Sequence, residues 1–327
     1  MTNISLWNNL DTQKRKYHNG GQKKNDRESE AYVMDIRFEK REHLKEKPDQ
    51  KHLGFGKYMT DYMFVMDWTK EEGWKDARIV PEGPITMDPA CVTLHYAQET
   101  FEGMKAYRTA EGKIQLFRPE MNAKRMINSN ARLCMPELPV DMFVEAVKAL
   151  VKVEEDWVPS EPETSLYIRP FMFATEAALG VHMASAYKFM IICCPVGAYY
   201  AEGINPVKIL VEDELVRAVK GGTGFTKCGG NYAGSILGQV KAEKMGYSQV
   251  LWLDGEHRKY VEEVGTMNIM FKIAGEIYTA PIEGTVLPGV TRDSMIHLLR
   301  DWGYKVNETR LSVDDLMKAG HDGTLEE

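Results

Sequence analysis

The sequence predicts an α+β protein of two domains, on the basis of three observations. Its 327 residues, 43% hydrophobic and 27% charged, are enough for two ordinary domains with sizeable cores. Short apolar runs alternate with helical patterns and turn signals, without an internal repeat. A stretch rich in Gly, Asn and Pro interrupts the chain near its middle. We therefore expect a disordered or extended arm over residues 1–50, a first domain over 51–197, a connecting loop over 198–206 and a second domain over 207–327.

Composition excludes several classes of function. Asp and Glu number 48 against 41 Lys and Arg, and this net charge of −7 disfavours a surface that binds nucleic acid. The longest strongly apolar run, Phe189–Val196, is far shorter than the roughly 18–20 residues of a membrane span. The five cysteines include no C-x-x-C pair and are expected to be reduced thiols. Without a secretory signal, the chain is predicted to be cytoplasmic, with no membrane partner.

The first half begins with a polar stretch, residues 1–30, for which we expect disorder. Further along, Asp141 is predicted to cap a helix. The apolar residues of that helix share one face: Phe143, Val144, Val147, Leu150 and Val151. Two runs, Leu166–Phe173 and Tyr187–Cys194, are typical of buried strands, and Pro195 is expected to end the second.

The second half is predicted to contain four strands and two helices. The strands are Val207–Val211, Val250–Leu253, Asn268–Ile273 and Glu276–Thr279, the last two joined by a turn at Ala274-Gly275. One helix carries Ile236, Leu237 and Val240 on its apolar side and ends at Gly246. The other follows Thr291, carries Met295, Leu298, Leu299 and Trp302 on one face, and ends at Gly303.

The glycine-rich segment Lys220–Tyr232 is the most informative for chemistry. Its five glycines allow the backbone to approach a ligand closely. It is not a nucleotide-binding P-loop, because Thr226 precedes Lys227 and Cys228 follows it. A lysine framed by small residues can be partly buried, which lowers its pKa towards that of a nucleophilic amine. A flexible surface loop with a solvated lysine fits the same composition, so this segment alone leaves both interpretations open.

Ten motifs, in the same order and with plausible spacers, resolve this ambiguity. On them, the chain from about Gly54 to Glu327 resembles the branched-chain amino-acid aminotransferases, which are pyridoxal-phosphate enzymes of fold type IV. The resemblance implies a smaller N-terminal α+β domain, a larger C-terminal domain of mixed, barrel-like sheet with helices, and a homodimer. The motifs are Phe55–Lys57, Thr60–Asp61, Leu94–Tyr96, Phe101–Tyr107, Phe117–Pro119, Ser165–Pro170, Gly197–Tyr199, Lys227–Tyr232, Glu262–Asn268 and Leu287–Asp293.

The resemblance also implies the residues that bind pyridoxal 5'-phosphate. Lys227 matches the lysine that forms the Schiff base and then moves the proton. Glu263 matches the acid that faces the pyridine nitrogen, rather than the neighbouring Glu262. Arg125 matches the phosphate-binding arginine, with Arg118 and Lys124 as nearby alternatives. The remaining residues implied at the cofactor are Tyr232 at its phenolic oxygen, Thr291 at its phosphate, Leu287 on its ring face, and Thr266 and Val290.

The implied reaction transfers the amino group of L-leucine, L-isoleucine or L-valine to 2-oxoglutarate. One pocket must then accept both an aliphatic side chain and the distal carboxylate of glutamate. An aromatic-lined cavity with one polar edge meets this need, and Arg169 is expected to bind the carboxylate. The matching aromatic residues are Phe55, Tyr96, Phe101, Tyr167 and Tyr199.

Two alternatives remain beside this interpretation. D-Amino-acid transaminases and aminodeoxychorismate lyases share the lysine, glutamate and phosphate elements. An inactive scaffold is the second, because the family continues with a Gly-Thr-Ala-type turn whereas this sequence ends at Gly323-Thr-Leu-Glu-Glu327. The resemblance therefore implies a truncated C-terminal domain and weak or no transamination by the 327-residue chain.

Overall fold

The computed structural model describes residues 34–197 and 205–327. The predicted disorder of residues 1–30 and most of the predicted loop 198–206 lie outside these ranges. The part of the predicted arm that is described is extended: Met34 is buried, and Arg37–Phe38 pairs in parallel with a strand of the first sheet. Among the described residues, no helix is both long and apolar enough to cross a membrane.

The N-terminal half is built on one eight-stranded sheet, in the order β1-β3-β2-β8-β7-β5-β6, with β4 also pairing with β7. All its pairs are antiparallel except β1 with β3. The strands are β1 (Arg37–Phe38), β2 (Tyr62–Thr69), β3 (Gly73–Pro81), β4 (Glu99–Phe101), β5 (Met104–Arg108), β6 (Ile114–Leu116), β7 (Ser165–Ala174) and β8 (Ala186–Val196). The helices are α1 (Val92–Tyr96), α2 (Pro119–Arg132) and α3 (Val140–Val153), with 3-10 turns at Gln50–His52 and Glu155–Trp157.

The C-terminal half contains two smaller sheets, β12-β11-β10-β9 and β13-β14-β15. Their strands are β9 (Ile209–Glu212), β10 (Gln249–Leu253), β11 (Val261–Val264), β12 (Met267–Asn268), β13 (Phe271–Ile273), β14 (Glu276–Thr279) and β15 (Val306–Glu308). The helices are α4 (Gly229–Ala233), α5 (Ile236–Lys244), α6 (Val290–Asp301) and α7 (Val313–His321).

The main hydrophobic core lies between the large sheet and helix α3. Phe143, Val147 and Leu150, which the periodicity placed on one face, are all fully buried there. The prediction that Asp141 caps this helix was wrong. The helix begins at Val140, and Pro139 is its N-cap residue. The carboxylate lies instead in the first turn, where the helix dipole favours a negative charge.

Two strand predictions were wrong in their extent. Strand β8 continues through Pro195, which pairs with Leu166 of β7. Proline is tolerated there because the pairing of β8 with β2 ends at Ile191, so no second ladder needs its missing N–H. The predicted strand Asn268–Ile273 is divided between β12 and β13, which belong to different sheets. The turn at Ala274-Gly275 is confirmed, with φ of 48° and 80°.

The apolar faces predicted for helices α5 and α6 are largely exposed. On α5, Ile236 and Leu237 are 60% and 64% exposed, and the buried residues are Gly238 and Ala242. A Cβ at Gly238 would lie 2.5 Å from the Trp252 ring, so this helix packs through its smallest residue. On α6, Trp302 is 63% exposed, whereas Ile296 is buried. Hydrophobic spacing therefore predicted both helices correctly, but it did not show which of their residues are buried.

Candidate active site

Lys227 lies in the loop before α4, and the N-terminal half of the protein fixes its backbone. The amide of Phe101 donates to the Lys227 carbonyl at 2.9 Å, and the Lys227 amide donates to Ser129 Oγ, also at 2.9 Å. Ser129 is fully buried on helix α2. The position of the lysine therefore depends on strand β4 and helix α2, more than 90 residues earlier in the chain.

The side chain of Lys227 is buried among aromatic rings. Its Nζ lies 2.6 Å from the Tyr232 hydroxyl and 4.7 Å from the centroid of the Phe101 ring. Burial lowers the pKa of Lys227 to about 8; Glu102 opposes this change, and the positive charge of Arg125 adds to it. Roughly a tenth of the amine is therefore unprotonated at pH 7, far more than for a solvated lysine, and the unprotonated form is the one that acts as nucleophile or general base.

Glu263 is the buried acid of the site. Its Oε1 accepts hydrogen bonds from Asn268 Nδ2 at 2.9 Å and from the Leu287 amide at 3.0 Å. Arg217 Nε lies 2.8 Å from Oε2 as an ion pair. Burial raises the pKa of Glu263 to about 7, against the opposing charge of Arg217.

Glu262 points to the other side of strand β11. Its carboxylate accepts a hydrogen bond from Thr285 at 2.5 Å and borders a separate small hollow. Successive side chains of a strand face opposite ways, so only one of the two neighbouring glutamates can reach the cavity. The structure places Glu263, the residue expected at the cofactor, in that position.

A cavity of about 630 Å³ brings most of the predicted site residues together. This volume lies within the range of small-molecule sites. Tyr232 lies next to the cavity, where its hydroxyl contacts Lys227 Nζ. It lines a second, smaller pocket together with Glu263. The predicted residues that line the cavity are Arg125, Tyr167, Lys227, Glu263, Thr266, Leu287, Val290 and Thr291.

Of the three cations considered for the phosphate, Arg125 is the one that lines this cavity. Its Nε and Nη2 donate to the two oxygens of Glu102 at 2.8 and 2.7 Å, and Nη1 donates to the Pro288 carbonyl at 3.2 Å. Of the alternatives, Arg118 pairs with Asp293 at 2.7 Å and does not line the cavity, and Lys124 is exposed. The geometry therefore favours Arg125 over both.

A second group of predicted residues lies around Tyr167, the member of the group that lines the cavity. The rings of Phe55 and Tyr167 meet edge to face, with centroids 4.9 Å apart. Arg169 donates to the Tyr167 hydroxyl at 2.9 Å, and its guanidinium lies 4.6 Å from the centroid of Phe101. The Phe101 ring also contacts Tyr232, at 4.8 Å. These side chains link the predicted substrate residues to the lysine.

Of the predicted substrate residues, only Tyr167 lines the cavity itself among the described residues, and Tyr96 is also apart from the group around Tyr167. The Tyr96 hydroxyl accepts a hydrogen bond from the Gly180 amide at 2.8 Å, and its side chain does not line the cavity. Tyr199 lies outside the described residues.

Sequence analysis missed three polar residues of the site. Glu102 and Asn268 lie inside two of the family motifs, Phe101–Tyr107 and Glu262–Asn268, so these motifs could have identified them. In the structure they form hydrogen bonds with Arg125 and Glu263. Arg217 lies in no quoted motif and reaches Glu263 from 46 positions away. Only the folded chain identifies it.

The site has the donor set that a phosphorylated pyridine aldehyde needs. It combines a buried amine, a buried acid and a buried arginine in one cavity. Thr291 lies at the N-terminal end of the 12-residue helix α6, where unpaired amides and the helix dipole favour an anion. These residues fit pyridoxal phosphate.

Comparison with known proteins agrees with this geometry. The sequence model of the family described as amino-transferase class IV matches residues 99–321. The chain belongs to this family. Among curated relatives of this class IV aminotransferase, "Branched-chain-amino-acid aminotransferase 2" of Bacillus subtilis (strain 168) is 52% identical over 89% of this chain and 80% of its own length. A probable branched-chain-amino-acid aminotransferase of Staphylococcus epidermidis is 53% identical over 89% of this chain and 82% of its own length.

Solved structures show the same relationship. A branched-chain amino acid aminotransferase solved with pyridoxamine 5'-phosphate, from the organism abbreviated T.th., matches with a TM-score of 0.65 and 31% identity, over 77% of this chain and 78% of that chain. The Escherichia coli branched-chain enzyme matches with a TM-score of 0.65 and 27% identity, over 78% and 79%. The predicted family, the α+β fold of type IV, the aminotransferase activity and pyridoxal phosphate as cofactor are confirmed.

Proposed function

We propose that this class IV aminotransferase transfers the amino group of L-leucine, L-isoleucine or L-valine to 2-oxoglutarate. The observation that carries the proposal is the buried amine of Lys227, 2.6 Å from the Tyr232 hydroxyl and in the same cavity as Glu263 and Arg125. The names of the relatives that are 52% and 53% identical support the choice of branched-chain substrates.

The residues of the cavity would divide the binding of the cofactor between them. Arg125 and Thr291 would hold the phosphate, and Glu263 would face the ring nitrogen. Tyr232 would bind the phenolic oxygen, while Leu287, Val290 and Thr266 would line the ring. When bound, pyridoxal phosphate supplies an aldehyde carbon that condenses with amines and a ring that withdraws electrons from the substrate's Cα.

Lys227 moves the proton in this proposal. Because burial lowers its pKa to about 8, its Nζ can accept a proton from the substrate's Cα near neutral pH and would then donate it to C4′ of the cofactor, the carbon that had been the aldehyde. The Tyr232 hydroxyl, 2.6 Å away, holds the amine in place. The ion pair with Arg217 favours the ionised form of Glu263 against its burial, and a carboxylate there favours a protonated ring nitrogen.

The aromatic edge would bind the substrate side chain. Phe55, Phe101 and Tyr167 offer apolar surface to a branched aliphatic group. Arg169 would bind the distal carboxylate of glutamate, since its buried Nε lacks a hydrogen-bond partner among the described residues. One pocket can thus serve both half-reactions.

We also propose that the enzyme is a cytoplasmic homodimer. The segment next to Tyr96 exposes three large apolar side chains, Leu179, Val181 and Met183, at 69%, 88% and 58%. A second copy covering them would give Tyr96 a route to the partner's substrate. All five cysteines are free thiols, as suits a reducing compartment.

The cofactor spectrum tests the proposed lysine. Loaded with pyridoxal phosphate, the protein should show a band at about 410–430 nm, typical of the cofactor joined to a lysine. Lys227→Ala should abolish the band. Lys220→Ala, which changes an exposed lysine of the same glycine-rich segment, should retain it. A parent protein without the band would identify an inactive scaffold.

Rapid mixing with amino acids tests the proposed substrates. L-Leucine and L-glutamate should each discharge the band, and D-alanine should not. Discharge by D-alanine alone would assign the protein to the D-amino-acid transaminases. Loss of the band without transfer to 2-oxoglutarate would contradict transamination.

A further inference from the structure

Glu102 is a buried carboxylate to which the proposed mechanism gives no role. It is 0% exposed, between strands β4 and β5, and does not line the cavity. Its oxygens accept hydrogen bonds from Arg125 Nε at 2.8 Å, Arg125 Nη2 at 2.7 Å and Asn122 Nδ2 at 2.8 Å. A buried charge needs such partners, and here they include the arginine proposed to bind phosphate.

The arginine retains unused donors on the side of the cavity. A guanidinium has five N–H donors, of which Glu102 takes two and the Pro288 carbonyl takes one. The other two have no hydrogen-bond acceptor among the described residues, and Arg125 lines the cavity. Since the guanidinium is planar, fixing one edge on a carboxylate fixes the direction of the other donors.

Glu102 is itself held from two sides. Its amide donates to the Pro170 carbonyl of strand β7 at 2.7 Å. Asn122, on the same helix as Arg125, donates to its carboxylate and to the Gly103 carbonyl, at 3.2 Å. The carboxylate is therefore a rigid support, attached to the sheet, against which an otherwise flexible arginine is oriented.

We propose that Glu102 is a positioning residue for the phosphate of the cofactor, acting through Arg125. This inference rests on the proposed function, because it takes Arg125 as the phosphate ligand. Glu102 cannot be a ligand itself, since an ionised carboxylate offers phosphate no donor.

Charge and geometry predict opposite effects at this position. A carboxylate near a phosphate dianion repels it, so if charge alone mattered, neutralising Glu102 would tighten binding. If orientation matters more, neutralising it breaks the two-point pair and weakens binding. Weaker binding of the phosphorylated cofactor after neutralisation of Glu102 therefore indicates a positioning residue, whereas tighter binding indicates that only its charge matters.

The experiment titrates the apoprotein with pyridoxal 5'-phosphate and with pyridoxal, which lacks the phosphate. Glu102→Gln should weaken binding of the phosphorylated ligand about tenfold or more and binding of pyridoxal less than about twofold. In an Arg125→Ala background, the same change should cause no further phosphate-specific loss. Equal weakening for both ligands, or tighter binding of the phosphorylated one, would overturn the proposal.

Asn122→Ala provides a second test of the proposal in case the Glu102 variant does not fold. It removes the hydrogen bonds that Asn122 donates to the carboxylate and to the Gly103 carbonyl but leaves the ion pair, so we expect a smaller phosphate-specific loss, about threefold. An unchanged ratio of the two affinities in this variant would contradict the proposal. Failure of the proposed function would appear differently, as a parent protein that binds pyridoxal phosphate without the band that depends on Lys227.

Discussion

Lys227, the lysine proposed to be catalytic, should destabilise the folded protein. In the folded state burial lowers the pKa of Lys227 from 10.5 to about 8, so the unfolded chain binds its proton more tightly. This difference corresponds to a cost of about 3 kcal/mol, present in full below pH 8 and lost as the pH rises towards 10.5. Lys227→Met replaces the charged amine with an unbranched apolar side chain and removes the cost. The lost hydrogen bond to Tyr232 offsets about 1 kcal/mol.

We therefore expect Lys227→Met to raise the free energy of unfolding of the apoprotein by about 2 kcal/mol at pH 7. The advantage should shrink between pH 8 and pH 10. Urea unfolding of the cofactor-free protein at several pH values measures both effects. The control is Lys318→Met on the exposed side of α7, which should change stability by less than about 0.5 kcal/mol.

A lower or equal stability of Lys227→Met at pH 7 would refute this reasoning. So would a gain that does not depend on pH, because the cost arises from a proton equilibrium. Either result would mean that the amine is fully solvated, or that the negative charges of Glu102 and Glu263 fully offset the cost of burying its positive charge.

Three further predictions concern other parts of the molecule. Arg169→Ala should slow the half-reaction with L-glutamate about tenfold or more and that with L-leucine much less, measured in single turnovers; equal losses would contradict a role at the distal carboxylate. Gly224→Ala should destabilise the protein by about 1–3 kcal/mol, because its Cβ would lie 2.4 Å from the backbone carbonyl oxygen of Thr285, whereas Gly230→Ala meets nothing within 4 Å and serves as the matched control. Burial raises the pKa of Glu154 to about 7, so the parent protein should lose stability as the pH rises from 4.5 to 7. In thermal unfolding, Glu154→Gln should reduce that loss of stability by about 1–3 kcal/mol. An identical dependence of stability on pH in the parent and the variant would refute this.

The sequence pattern predicts which residues are buried only in elements whose apolar face is also the face that packs against a neighbour. The face of α3 with Phe143, Val147 and Leu150 is buried as its periodicity indicates, because the large sheet lies along it. On α5 the helix forms as its spacing predicts, but its apolar side is exposed. There the close contact is made by Gly238 against Trp252, and a glycine adds nothing to a hydrophobic pattern. Periodicity reports which residues share a face, and the neighbouring elements decide which face is covered.

The sequence by itself determined the chemistry of the site: a lysine among glycines, an acid, an arginine and aromatic residues, in motifs whose order identified the family. These are properties of residue type and spacing along the chain. Only the tertiary structure decided how the groups are oriented and charged. Glu102 fixes Arg125 from 23 positions away, and Arg217 pairs with Glu263 across 46. Burial of Lys227 depends on strand β4 and helix α2, more than 90 residues earlier. Hydrogen bonds and desolvation act through space, so they exist only once the chain has folded.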